Sequence, residues 1–195
     1  MKTLHFSAIG MTPLIMHNGR LADPLDEYAR ALSKTSSIRK KTEADHEEMA
    51  RLEFMGSLYV HDGRISIPGN NLRAAVVGPG GGARQSKNGK KAAKGLNFPL
   101  WYMLEYEGPM EPDALWEAPG FRFRTKVSIG QSSVIRTRPI FDKWEFTGEV
   151  EYNEDFVDLD DVIHWLKVTG NEVGLGDWRP AKYGPYGRFK IDILG

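Results

Sequence analysis

The amino-acid sequence predicts an α+β fold whose elements run in the order βαββαβ once insertions are set aside. Three observations carry that prediction. Segments with period-two alternation open and close the chain, apolar residues at helical spacing mark two helices between them, and turn residues punctuate the junctions. A strand, a helix, at least two strands, a second helix and a closing strand follow in turn.

The first strand covers residues 3–9, where Leu4, Phe6 and Ala8 alternate with His5, Ser7 and Ile9. The next segment, "GMTPLIMHNGRLADP", reads as irregular, and residues 25–33 read as a short helix. A better helix follows in "KTEADHEEMARLEFMGSLY". Thr42 is its N-cap, four acids favour the positive end of its dipole, and Met49, Leu52 and Met55 form its apolar stripe. "SLYVHDGRISI" signals a hairpin turning at Asp62-Gly63. Pro68 and Gly69 break that strand, and Asn70 or Asn71 caps a helix beginning near Leu72. "GPGGGARQSKNGKKAAKG" has the composition of a mobile basic loop.

"FPLWYMLEYEG" reads as a strand. In "FRFRTKVSIG", Phe121, Phe123, Thr125, Val127 and Ile129 share one face and Arg122, Arg124 and Lys126 the other. "VIRTRPI" places Arg136 and Arg138 on one side, so the two strands together predict a basic ribbon. "KWEFTGEVEY" turns Glu145, Thr147, Glu149 and Glu151 outward. "LDDVIHWLKVTG" is an amphipathic helix capped by Asp158 and ended by Gly170. A glycine-rich loop leads to the closing strand, "GRFKIDIL". Stripped of insertions this is the order of a ferredoxin-like or RRM-type core. The expectation is one domain over 1–195 with a helical and hairpin insertion at 17–66, a mobile basic loop at 79–95, a basic strand pair at 118–141 and the glycine-rich loop at 174–188.

Composition narrows the function. The chain has 195 residues, and 41% of them are hydrophobic and 27% charged, an ordinary globular balance. With no cysteine, disulfides, thiolate metal sites and a cysteine nucleophile are excluded. No apolar run approaches the ~20 residues of a membrane helix, and the N-terminus lacks a signal-peptide core, so a cytoplasmic location is expected. Net charge is zero, from 26 basic and 26 acidic residues, but the distribution is uneven. Acids are absent from 63–104 and from 118–141 and crowd into 105–117 and 142–161. Faces of opposite sign are therefore expected.

Catalytic patterns are sparse. Gly89 and Lys90 do not complete a P-loop, because Arg84 stands where its first glycine belongs and Lys91 follows Lys90. The five histidines fall in no metal-ligand pattern. Asp158, Asp160 and Asp161 are explained by helix capping and dipole effects. No metal and no cofactor is expected.

Two segments resemble signatures of the RAMP superfamily, which includes the Cas7 and Cas5 backbone subunits of CRISPR effector complexes. "IPGNNLRAAVV" is similar to its P-G-S-S-L-[KR]-G-[AV]-[LIF]-R motif at Pro68, Gly69, Leu72 and Arg73. Asn70 and Asn71 replace the serines, Ala74 the glycine and Val77 the closing arginine. The second signature is a glycine-rich loop before the last strand. Gly174, Gly176, Gly184, Gly187 and Arg188 occupy that place, with Asp177 where a cation is usual. The resemblance implies an RRM-like core with insertions, binding of single-stranded RNA, and in many members head-to-tail assembly, alone or with other effector subunits. A stand-alone or phage-encoded relative fits the short chain as well as a CRISPR component does.

The residues themselves point to a single-stranded nucleic acid, RNA or DNA, bound without sequence preference. Backbone N–H groups of the glycine-rich loop and of the helix near Asn70 can meet phosphates. Arg73, Arg179, Lys182 and Arg188 supply countercharge, and Trp178, Tyr183 and Tyr186 can stack on bases. Arg84, Lys87, Lys90, Lys91 and Lys94, and the ribbon of Arg122, Arg124, Lys126, Arg136 and Arg138, extend the candidate surface. Two alternatives stand beside this reading. One is a protein-docking subunit using complementary acidic and basic faces. The other is a metal-dependent ribonuclease in which Asp23, in the loop where some Cas7-type subunits carry a catalytic aspartate, does the chemistry.

Overall fold

The computed structural model describes residues 1–130 and 132–194. The side chains of Ile129 and Ser132 lie outside what is described, as does Gln131 in the expected 118–141 strand pair. In chain order the main elements are β1 (Lys2–Gly10), α1 (Glu27–Ser36), α2 (Glu43–Ser57), β2 (Arg64–Pro68), α3 (Gly69–Val77), α4 (Gly82–Gln85) and α5 (Gly89–Gly95). There follow β3 (Leu96–Asn97), β4 (Trp101–Met103), α6 (Pro112–Glu117), β5 (Arg122–Ile129), β6 (Ser132–Phe141), β7 (Glu145–Tyr152), α7 (Leu159–Val168) and β8 (Phe189–Leu194). The fold is α+β with antiparallel sheets.

The chain divides into two compact units. The first comprises Met1–Leu14, Arg64–Glu107 and Phe141–Gly195; the second comprises Ile15–Gly63 and Gly108–Ile140. The segments expected as insertions at 17–66 and 118–141 fall in the second unit except at their last residues, and 79–95 falls in the first.

The first unit is built on a four-stranded sheet in the order β8-β1-β7-β3. Along β1, Leu4, Phe6 and Ala8 are buried, and opposite them β7 buries Phe146 and Val150 and β8 buries Phe189 and Ile191. Phe6, Tyr102, Trp144, Phe146 and Phe189 form a chain of ring contacts with centroids 5.0–6.3 Å apart. Such contacts stabilise beyond the area they bury. Burial pushes the Tyr102 phenol well up from its ordinary pKa, and its hydroxyl donates to the Glu149 carbonyl at 3.0 Å. From α7 the core receives Val162, Trp165 and Leu166, all fully buried.

Three local expectations are corrected here. Helix α3 begins at Gly69 with Pro68 at its N-cap, so Asn70 and Asn71 sit inside its first turn and make no cap hydrogen bond. Proline suits that boundary because it needs no backbone donor there. Residues 79–95, expected as a mobile loop, form α4 and α5. Ala83 and Ala92 are fully buried, and a Cβ on Gly82 would lie 2.5 Å from the Trp165 carbonyl oxygen. Small residues read as flexibility turn out to serve close packing. Gly170 does not end α7. The chain continues through a π turn over Thr169–Val173, and the left-handed residue that ends it is Gly174, with φ 71°.

In the second unit α2 is the organising helix. Thr42 caps it by accepting the Asp45 N–H on its hydroxyl, and the Asp45 carboxylate accepts the Thr42 N–H in return, completing a capping box. The hydrogen bonds from the Thr42 backbone N–H and hydroxyl hold the Asp45 carboxyl below its ordinary pKa. Its buried residues include Leu52, Phe54 and Met55, and Phe54 meets Trp116 of α6 edge-on at 5.5 Å. Strands β5 and β6 form an antiparallel hairpin paired from Arg122↔Pro139 to Ile129↔Ser132.

Candidate nucleic-acid interface

The glycine-rich loop is held by backbone contacts that only bare Cα atoms allow. Leu175 N–H donates to the Gly187 carbonyl at 2.9 Å and Gly187 N–H to Pro13 at 2.8 Å. A Cβ on Gly184 would lie 1.7 Å from the Trp178 carbonyl oxygen, and one on Gly187 1.8 Å from that of Leu175. The loop is thus stitched to the chain following β1. Thr12, which sequence reasoning did not single out, adds to the seam by accepting the Arg188 N–H on its hydroxyl at 2.9 Å. No local signal marks such a residue, because the contact spans most of the chain.

This frame displays aromatic side chains at a backbone cost. Trp178 (φ 52°) and Tyr183 (φ 59°) are both left-handed, a conformation that bulky residues rarely adopt. Trp178 is 41% exposed and Tyr183 fully so. The Trp178 and Tyr186 rings lie 6.0 Å apart with 32° between their planes. Lys182 and Arg188 are exposed beside them. Arg179 has a structural bond as well, donating from Nη1 to the Gly176 carbonyl at 2.9 Å.

A second cationic group of the first unit lies on α3–α5. Asn70, Arg73, Arg84, Lys87, Lys90 and Lys94 are exposed. Lys91 differs. Its ammonium is 2.7 Å from Asp161 and 3.9 Å from Asp158, and the hydrogen bond to Asp161 raises its pKa. Asp158, expected as a cap, sits at the N-cap of α7 but makes no cap hydrogen bond.

The basic ribbon is corrected by its register. Phe123 faces Arg138 and Thr125 faces Arg136, whereas Arg124 faces Thr137 and Lys126 faces Ile135. Directly opposed residues share a face of a sheet, so Arg136 and Arg138 lie on the face away from Arg122, Arg124 and Lys126. Arg136 pairs with the buried carboxylate of Glu53, which also accepts the Thr137 N–H at 2.9 Å. Arg138 is 8% exposed. Both arginines are built into the structure. Arg122 stacks over the Trp116 ring at 5.0 Å, leaving Arg124 and Lys126 as the exposed cations of the other face.

The outer face of the four-stranded sheet carries the opposite sign. Register places Thr3↔Glu151, His5↔Glu149, Ser7↔Thr147 and Ile9↔Glu145 there, with Lys190 and Asp192 alongside on β8. No Phe, Tyr or Trp stands among these residues, and Lys190 pairs with Asp192 at 3.0 Å, so this face offers little countercharge and little stacking. Asp23 closes a short turn, its carboxylate accepting the Leu25 N–H at 2.9 Å. Among the described residues no group of three or more His, Cys, Asp or Glu is arranged to hold a metal ion. Among the described residues no helix is long and apolar enough to cross a membrane. Comparison with protein-family models and with curated proteins finds no match to the chain.

Proposed function

We propose that the chain binds single-stranded nucleic acid without sequence preference and without catalysis, through the 174–188 loop of a ferredoxin-like core of the RAMP kind. The sheet order β8-β1-β7-β3 supports the core: numbered along the βαββαβ path, with α3 and α7 as the two helices, it reads 4-1-3-2. The observation that carries the function is the pair of strained, exposed aromatics. The loop holds both residues in left-handed backbone; Tyr183 is fully exposed and gains no core packing, and Trp178, beside Tyr186, keeps 41% of its surface open. Stacking on unpaired bases, worth about 1–3 kcal/mol per base, accounts for that arrangement. Lys182 and Arg188 supply phosphate contacts beside the rings. In this reading several copies occupy one strand, and the acidic sheet face stays clear of the phosphates.

The test is fluorescence anisotropy with labelled RNA and DNA single strands of about 30 nucleotides and duplex controls, titrated across salt. Single strands are expected to bind, with affinity falling steeply as salt rises. Trp178→Ala is expected to weaken binding about 5- to 150-fold, the range set by losing one stacked base. Absence of binding to every strand at low salt would overturn the reading and favour a protein-docking subunit.

A further inference from the structure

A groove of about 500 Å³ opens within the second unit, between the first turns of α2 and the segment running from α6 into β5. Its walls carry opposite charges: Glu43, His46 and Glu47 from α2, and Arg122 and Arg124 from β5, with Trp116 between them. The helix sets this up, because residues 43, 46, 47 and 50 recur on one face, and that face goes on to seat Phe54 against Trp116. Facing acids and arginines usually close onto one another. Here α2 makes its ion pairs elsewhere, Arg51 with Asp113 at 2.7 Å and Glu53 with Arg136. Among the described residues, none joins Glu43 or Glu47 to Arg122 or Arg124.

We infer that this groove is a site for one nucleotide unit. The Arg122–Arg124 wall would take the phosphate, and the Glu43–Glu47 wall the amino groups of the base. Two arginines spaced two residues apart on one strand face present a double cation suited to a phosphate. Carboxylates on the opposite wall accept hydrogen bonds from exocyclic amines of cytosine, adenine or guanine, whereas uracil and thymine offer them only the ring N3–H, flanked by carbonyls that repel a carboxylate. Arg122, its guanidinium carbon 5.0 Å from the centre of the Trp116 ring, is placed where a base could stack on it as well. The volume lies within the range of small-ligand pockets. Choosing a nucleotide over another dipolar ligand rests on the nucleic-acid reading above, but the site shares no residue with the loop.

The experiment uses the full-length chain and each of the four nucleoside 5′-monophosphates. Binding is followed by calorimetry and by chemical shifts, with the free nucleosides as controls. Saturable binding of AMP, CMP or GMP, tighter than UMP and weakened at least tenfold in R122A/R124A, is expected. E43Q/E47Q keeps phosphate binding and erases the preference against UMP; it also covers the case in which the arginine variant fails to fold. If free monophosphates do not bind but both groove variants weaken single-strand binding tenfold with W178A as a separate, additive loss, the nucleotide comes from a strand. Binding of no monophosphate up to about 10 mM, together with unchanged strand affinity in both groove variants, overturns the inference and leaves the loop reading standing.

Discussion

The 174–188 loop and the β5–β6 hairpin look alike as strings of residues, each carrying basic and aromatic side chains in close succession, yet the fold treats them in opposite ways. In the loop, glycines let backbone close on backbone, and Trp178, Tyr183, Lys182 and Arg188 are left facing out. In the hairpin, pairing register divides five cations between two faces and turns Arg136 and Arg138 toward structure. Charge counted along a strand is not charge on a surface. What decides is which residues stand opposite each other across the ladder.

The largest effect that would sharpen this contrast is expected at Glu53. Replacing it with Leu removes the partner of Arg136 and the acceptor of the Thr137 N–H. A loss of about 3–5 kcal/mol in urea unfolding is expected, with single-strand affinity unchanged once the protein is folded. Next comes Gly187→Ala in the loop, where φ is 69° and the added methyl would meet the Leu175 carbonyl oxygen. It should cost about 2–4 kcal/mol and weaken strand binding in parallel.

A smaller and more pointed effect is expected of Tyr183→Gly. It relieves the left-handed strain of a fully exposed side chain, so stability should rise by up to about 1 kcal/mol while strand affinity falls. A stability loss there would contradict the view that the ring is displayed rather than packed. The smallest is Lys126→Ala, expected to leave stability within about 0.5 kcal/mol. If the exposed hairpin face touches phosphate, it should lower the salt slope of binding by about one, and Arg138→Ala should not. A slope lowered in Arg138→Ala would break the distinction between the hairpin faces.

Much of this fold could be read from local chemistry. Period-two alternation located β1, β7 and β8, with the correct inward faces in β1 and β7, and Thr42 named the start of α2. Where reading failed, the cause was non-local. Glycine and alanine between 79 and 95 suggested a loose chain because their partners, Trp165 and Thr169, lie far along the sequence. Gly170 looked like a helix stop, but its need is closeness to Phe189, whose carbonyl oxygen would lie 2.1 Å from an added Cβ. The aromatic and cationic character of the loop was legible, whereas the anchoring of Arg179 and Lys91 depends on neighbours brought in by folding. The groove beneath α2 left no pattern at all, since its two walls come from segments more than sixty residues apart.

The exposure of Trp178 also gives the molecule an optical handle of its own. Trp116, Trp144 and Trp165 are buried and Trp101 is half-buried, so a dissolved quencher such as iodide should draw first on the indole at the tip of the loop. Emission from that one ring would shift with whatever covers it, letting occupancy be followed in unlabelled protein and separated from unfolding, which would light up the interior indoles together.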